Sequence, residues 1–147
     1  MGFHSYMLSK KTRYALQALI YLAERQDRGP ILINEISTER QISKKFLENI
    51  LLELRKAGIL GSKKGKGGGY YLIKQPEDVT LVRIIRLLDG PVALLPCVSL
   101  NYYEKCDDCD EATCQLRKIM AEVRDETLKI LRTRTLKDII PPKEISS

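Results

Sequence analysis

The four cysteines of this 147-residue chain, Cys97, Cys106, Cys109 and Cys114, fall within 18 residues, and the first 96 residues hold none. In an oxidising compartment such crowding points to disulfides; in a reducing one it points to metal ligation. Thiolates are soft ligands for iron–sulfur clusters and for zinc. The spacing is Cys97-x8-Cys106-x2-Cys109-x4-Cys114. Eight residues let a loop fold back, and two bring a pair of thiolates to one side of a turn. Cys114 opens a helix, whose N-terminal dipole helps hold a thiolate. Asp107, Asp108, Asp110 and Glu111 crowd the same loop. Their charge opposes an accumulation of thiolates, so a bound cation is needed to make the loop compact. Three chemistries are open: an iron–sulfur cluster, which is favoured, a tetrahedral structural zinc, and thiols that switch by oxidation or stay inert. Spacing does not separate [2Fe–2S] from [4Fe–4S].

A second constellation lies upstream. Between residues 44 and 66 stand Lys44, Lys45, Arg55, Lys56, Lys63, Lys64 and Lys66 against only Glu48 and Glu53, a net +5 out of +6 for the whole chain. Localised positive charge of this kind fits double-stranded DNA, whose phosphates dominate affinity. Lysines in the first turn of a helix are unfavourable beside its dipole, and phosphates placed there reverse the penalty. The run Lys64-Gly65-Lys66-Gly67-Gly68-Gly69 offers lysines on a backbone that permits close approach to sugar-phosphate. Lys64 or Lys66 can enter a narrow minor groove. Glu48 and Asn49 can read base edges, cytosine and adenine respectively. Glu48 is the more telling, because an acid aimed at DNA is costly unless it discriminates.

These residues need elements to position them. Ser9 caps a predicted helix reaching about residue 25. That helix is apolar almost all round and so buried on more than one side, against its own domain and a second surface such as a partner subunit. A turn at Asp27-Arg28-Gly29-Pro30 leads to a short strand at 31–33 and a short helix at 34–40. Gln41-Ile42 breaks the chain, and Ser43 caps a helix over 44–57. Phe46, Leu47, Ile50, Leu51, Leu54 and Ala57 form its apolar stripe, and Gly58 stops it. Runs at 59–63 and 70–73 flank the Gly/Lys tip as a hairpin. Thr80 caps a helix with Leu81, Ile84, Ile85 and Leu88 on its buried stripe. The cysteine loop follows, then a helix over 114–132 in which Leu116, Met120, Val123, Thr127 and Ile130 make a heptad seam suited to pairing helices. Thr135 caps a last turn at 136–140. The order reads as mainly α with a small β-hairpin wing: a winged helix-turn-helix with a long C-terminal dimerisation helix. The division is 1–90 for DNA binding, 91–113 for the cysteine-rich cluster loop, 114–140 for dimerisation and the final turn, and 141–147 as a disordered tail.

Length excludes a large multi-domain enzyme. The single histidine, His4, lies in the leader, which argues against histidine-based hydrolysis. No acid–base pair is evident, and the Gly-rich run lies in a hairpin rather than before a helix, unlike a nucleotide loop. The chain therefore reads as no enzyme. It is 44% hydrophobic, enough for a core. No apolar run approaches the ~18 residues of a membrane span, and no signal-peptide pattern opens the chain, so a cytoplasmic protein without membrane partners is expected.

With these residues in place, the chain resembles the winged-helix regulators of the IscR/NsrR/CymR type, bacterial iron–sulfur and redox-responsive repressors. The resemblance rests on Tyr14-Ala15-Leu16 and Tyr21-Leu22-Ala23, on Ile42-Ser43-Lys44-Lys45-Phe46-Leu47-Glu48, on Gly58-Ile59-Leu60, and on the wing Lys64-Gly65-Lys66-Gly67-Gly68-Gly69-Tyr70-Tyr71-Leu72. It spans residues 8–140. It implies a homodimer with crossing C-terminal helices, promoter DNA as partner, and in many members a [2Fe–2S] cluster; clusterless members read metabolic partners instead. The DNA-facing set is Ser43, Lys44, Lys45, Glu48, Asn49, Arg55, Lys63, Lys64, Lys66, Gly68 and Tyr70; the metal set is the four cysteines. The best-known pattern has three cysteines and a histidine three residues after the last. Arg117 stands there, so Cys106 is the candidate fourth ligand, with an outside or partner-subunit ligand as the other options. The alternative function is a zinc-stabilised or clusterless sensory adaptor acting through protein partners.

Overall fold

The computed structural model describes residues 8–107 and 109–143. The leader with His4, Asp108 and the last part of the expected tail, residues 144–147, lie outside the described residues. Among the described residues six α-helices and one hairpin follow in the order α1 (Lys10–Ala23), α2 (Ile33–Arg40), α3 (Lys44–Lys56), β1 (Leu60–Lys63), β2 (Gly69–Leu72), α4 (Leu81–Asp89), α5 (Gln115–Thr133) and α6 (Leu136–Ile139).

Ser9 caps α1 by accepting from the Thr12 amide. It also clasps Asp89 at the end of α4, through its own amide at 2.9 Å and through its hydroxyl. The helix ends at Ala23, short of residue 25, because the chain turns into a 3₁₀ segment at Gln26–Arg28. Residues Ala15, Ala18 and Leu19 are fully buried. α1 touches α2, α3, α4, α6 and β2, so the wide apolar surface read from its sequence is met largely within its own chain.

The expected strand at 31–33 is reduced to a single bridge, Ile31 to Tyr70, with both backbone bonds at 2.8 Å. Helix α2 claims Ile33 instead. Gly69 makes the bridge possible: a Cβ there would strike the Ile31 carbonyl. The hairpin pairs Leu60 with Leu72 and Lys63 with Gly69, antiparallel. Ile59 lies outside β1 because its amide closes the end of α3 on the Leu54 carbonyl, with Gly58 left-handed at φ 76°, as a helix C-terminus of this type requires.

One cluster of buried residues fills the space between α1, α2, α3, α4 and the hairpin. Leu136 of α6, fully buried, belongs to it. The last turn therefore comes back to the head: the Leu136 amide donates to Val79 O at 2.8 Å and the Leu81 amide to Arg134 O at 3.0 Å. A second, smaller cluster gathers the buried residues Val82, Ile85, Val92 and Leu128, with half-buried Leu8 and Leu131 against it. It fastens α5 to α4. No helix among the described residues is long and apolar enough to cross a membrane.

Candidate functional site

Two surfaces gather the chemically active residues. The first is α3 with the hairpin. α2 ends at Gln41, the one non-glycine residue with positive φ (53°) among those described. The Ser37 hydroxyl donates to Ile42 O at 2.6 Å, and the Ile42 amide donates to Ser37 O at 3.1 Å. This knot makes the tight turn between α2 and α3. Ser43 then caps α3 through the Phe46 amide. Leu47, Ile50, Leu51 and Leu54 turn inward, which leaves Lys44, Lys45, Glu48, Asn49, Arg55 and Lys56 exposed on the other side.

None of Lys44, Lys45, Lys56, Lys63, Lys64 or Lys66 enters an ion pair among the described residues. Glu53 is compensated from outside the segment, by Lys11 at 2.7 Å. The local positive charge is thus left free for an outside anion. Arg55 reaches across to Ser62 Oγ at 3.3 Å, tying the helix to the hairpin. Lys64, Gly65, Lys66 and Gly67 are exposed at the tip. Gly68 and Tyr70 are placed differently. Gly68 is buried: a Cβ there would run into the Lys63 and Gly65 carbonyls, so it shapes the tip. Tyr70 is half-buried, with its backbone held by Ile31. Leu52, which sequence reasoning did not single out, is 37% exposed. It lies four residues from Glu48 and three from Asn49, on the same side of the helix. Its position off the buried stripe is the signal that could have found it. An apolar group there suits a thymine methyl.

The second surface is the cysteine loop. Cys97 sits buried in a 3₁₀ turn at Pro96–Val98. The loop folds back on it as the eight-residue gap allows, and the Glu104 amide donates to Pro96 O at 3.2 Å. Cys114 is the N-cap of α5, its sulfur accepting from the Arg117 amide at 3.4 Å. All four cysteines, with Leu95, Pro96, Glu104, Lys105 and Leu116, line one cavity of about 350 Å³. None is in a disulfide. The Cys109 thiol is pushed up to about 12, chiefly by its hydrogen bond with Cys106, then by burial and by Cys114. Asp107 and Asp110 face solvent. Among the described residues no three ligand side chains converge on a point suited to one ion. The donor set and the largely apolar wall nonetheless fit an iron–sulfur cluster, which divides its thiolates between irons rather than focusing them on one centre.

α5, which packs on α4 and on the turn that holds Cys97, carries a third feature. Its inward face carries Arg117, Ala121, Arg124, Leu128 and Leu131, none of them fully exposed. Its outward face carries Leu116, Ile119, Val123 and Ile130, exposed by 38–57%. Thr127, the polar member of the expected seam, satisfies its hydroxyl on Val123 O at 2.7 Å. Ile119 belongs with this face and was not in the heptad reading.

A helix-turn-helix pair flanked by a lysine-tipped hairpin is a winged-helix module, a class that reads DNA. The family described as Rrf2, iron-dependent transcriptional regulator, matches residues 8–142, and the chain belongs to this family. It is a transcriptional regulator, not an enzyme. It is 46% identical over 138 residues to a putative rrf2-like HTH-type transcriptional regulator of Rhodobacter capsulatus, covering 91% of this chain and 92% of that protein. Among solved structures it is similar to CymR, the global cysteine regulator of B. subtilis, with 31% identity and a TM-score of 0.76 over 92% of this chain and 97% of that one. It is also similar to T. potens IscR, with 26% identity and a TM-score of 0.74 over 99% and 96% of the respective chains.

Proposed function

We propose that this regulator is a cytoplasmic homodimer that binds promoter DNA sequence-specifically and senses iron–sulfur status, redox state or nitric oxide through a cysteine-ligated cluster. The observation that carries the reading is the meeting of all four thiols around one cavity at the start of α5. Cys97, Cys106, Cys109 and Cys114 would hold the cluster; a four-thiolate [2Fe–2S] centre is favoured over [4Fe–4S] or zinc. Such a group supplies a centre whose charge and ligation change with electrons, oxygen or nitric oxide. The outward apolar face of α5 pairs with its copy in a second chain. Residues 1–90 form the winged helix-turn-helix DNA-binding domain, 91–113 the cysteine-rich cluster loop, and 114–140 the dimerisation helix and final turn.

On the DNA, Lys44 and Lys45 take phosphates beside the helix N-terminus, with Ser43 fixing that end. Glu48 and Asn49 meet base edges, and Lys63, Lys64 and Lys66 follow the backbone or minor groove next to Gly68 and Tyr70, with Arg55 at the junction of helix and wing. A change in the cysteine loop shifts α5 and so biases the spacing of two DNA-reading heads.

The test is anaerobic purification with an absorbance spectrum and iron, sulfide and zinc assays. Iron with sulfide, and colour lost on exposure to oxygen or nitric oxide, support the reading. Stoichiometric zinc without iron refutes it. A clusterless thiol sensor is the second reading, favoured by four unbridged cysteines around one cavity and by the likeness to a cysteine regulator. It predicts metal-free protein whose DNA affinity changes with thiol oxidation.

A further inference from the structure

The strongest unexplained group outside the described chemistry is a guanidinium. Among the described residues Arg117 Nε is buried and has no hydrogen-bond partner. A buried, unpartnered donor on a charged group is costly. Arg117 is not on the outward face of α5. It shares the inward face with Arg124, seven residues on, whose guanidinium donates to Val98 O at 2.7 Å, the residue next to Cys97. That face of the helix therefore runs along the turn that holds Cys97. At the other end, the Arg117 amide already donates to Cys114 Sγ. The side chain thus starts one turn above one candidate ligand and lies on the side of the helix that passes another. The surroundings agree. The Tyr103 hydroxyl, which donates to Glu111 at 2.6 Å, is raised above its ordinary range mainly by that bond, while Arg117 pulls it down and Cys97 adds to the rise. Both groups act on the same hydroxyl.

We infer that Arg117, which stands beside the cysteine cavity rather than in its lining, is a charge-compensating positioning residue of that cavity, its half-buried side chain with the enclosed Nε donating a hydrogen bond to a sulfur of the group the four thiolates hold once that group is bound. The inference rests on the cluster reading of that cavity. Four thiolates bring more negative charge than the iron core neutralises, and the loop acids add to it. A fixed cation with a free N–H answers both needs. Hydrogen bonds to sulfur and net charge are what set the potential and retention of such centres. Lysine keeps the charge and loses the planar donor; glutamine loses the charge.

The experiment uses the full-length protein, wild type, Arg117→Lys and Arg117→Gln, each reconstituted anaerobically with ferric iron and sulfide. Iron and sulfide content, the midpoint potential from a reductive titration, and the rate of iron release to a chelator are measured, with circular dichroism to check the fold. Arg117→Gln is expected to release iron about tenfold or more faster and to titrate at a more negative potential, with Arg117→Lys in between. Where Arg117→Gln does not fold, Arg117→Met, which keeps the apolar stem, gives the same reading. Wild-type release rate and potential in the folded uncharged variant overturn the inference while leaving the cluster intact. Wild-type protein that takes up no iron and sulfide refutes the cluster reading itself, and this inference with it.

Discussion

The head and the arm of this molecule are held together in different ways. The head, α1 to α4 with the hairpin and α6, encloses eighteen buried apolar residues in one cluster. The arm, the cysteine loop with α5, is fastened to it by a cluster of four, and Leu128 is the only buried residue of the 19 in α5. Both stretches have apolar residues in abundance. In the head they face each other; in the arm Leu116, Ile119, Val123 and Ile130 face outward, as do Leu94, Leu100, Tyr102 and Tyr103 of the loop. A large exposed apolar face on a helix marks an interaction surface. The head encloses a core of its own, while the arm leaves much of its apolar surface uncovered by its own chain.

The largest expected difference is in stability. Leu51→Ala empties a fully buried position of the head and is expected to cost about 2–5 kcal/mol in urea unfolding. Leu128→Ala, in a cluster small enough to collapse, is expected to cost less. Equal losses would break the contrast. Next comes assembly. Ile119→Glu with Ile130→Glu is expected to weaken dimerisation by roughly a hundredfold or more, about 2.7 kcal/mol, in sedimentation equilibrium, with the circular dichroism of the head unchanged.

The DNA surface sharpens the same contrast, because its variants leave the arm alone. Glu48→Ala is expected to broaden site choice by about 1–3 kcal/mol at one or two base positions, read by competition binding on single-base operator variants. Equal loss on every sequence would make Glu48 structural. Lys64→Ala with Lys66→Ala acts on all sequences alike. The wild-type slope of log K against log salt is expected near −5 to −7 for ~6–8 phosphates per dimer, flattening by about 1 for each phosphate no longer neutralised.

The smallest effect belongs to a polar knot in the head. Glu35 takes Arg28 at 2.7 Å and the Tyr21 hydroxyl at 2.6 Å, and these, Arg28 first, hold its carboxyl down at about 2. A carboxyl depressed on folding adds stability that is complete above its unfolded pKa, 4.5, and is lost as pH falls towards about 2. Glu35→Gln removes that dependence. It is expected to move the midpoint of acid unfolding by on the order of a few tenths of a pH unit, with no change near neutrality in the slope of stability against pH.

Much of the head was legible in the sequence because its signals are local. Ser9, Ser43 and Thr80 act on amides three residues ahead, Gly58 takes the left-handed conformation that ends α3, and the α3 stripe repeats at helical spacing. The same locality explains the misses. Residues 31–33 look like a strand, but whether a strand forms depends on a partner far along the chain at Tyr70. The break at Gln41-Ile42 is legible in the sequence, but the left-handed Gln41 is not, because it is held by the knot between Ser37 and Ile42.

The amino-acid sequence by itself determined the charge of the α3-to-wing segment, the caps and stops of the helices, and the confinement of the thiols to one loop. These depend on residue type and on neighbours within a turn or two. Tertiary structure decided which residues meet. It brought Cys97 into the same cavity as Cys106, Cys109 and Cys114, returned Leu136 to the core of the head, buried Gly68 beneath the wing tip, and divided α5 into an inward and an outward face. Spacing cannot foresee those outcomes, because burial and contact depend on how elements far apart in the chain pack, and a helix with two apolar faces does not itself say which one its own chain will cover.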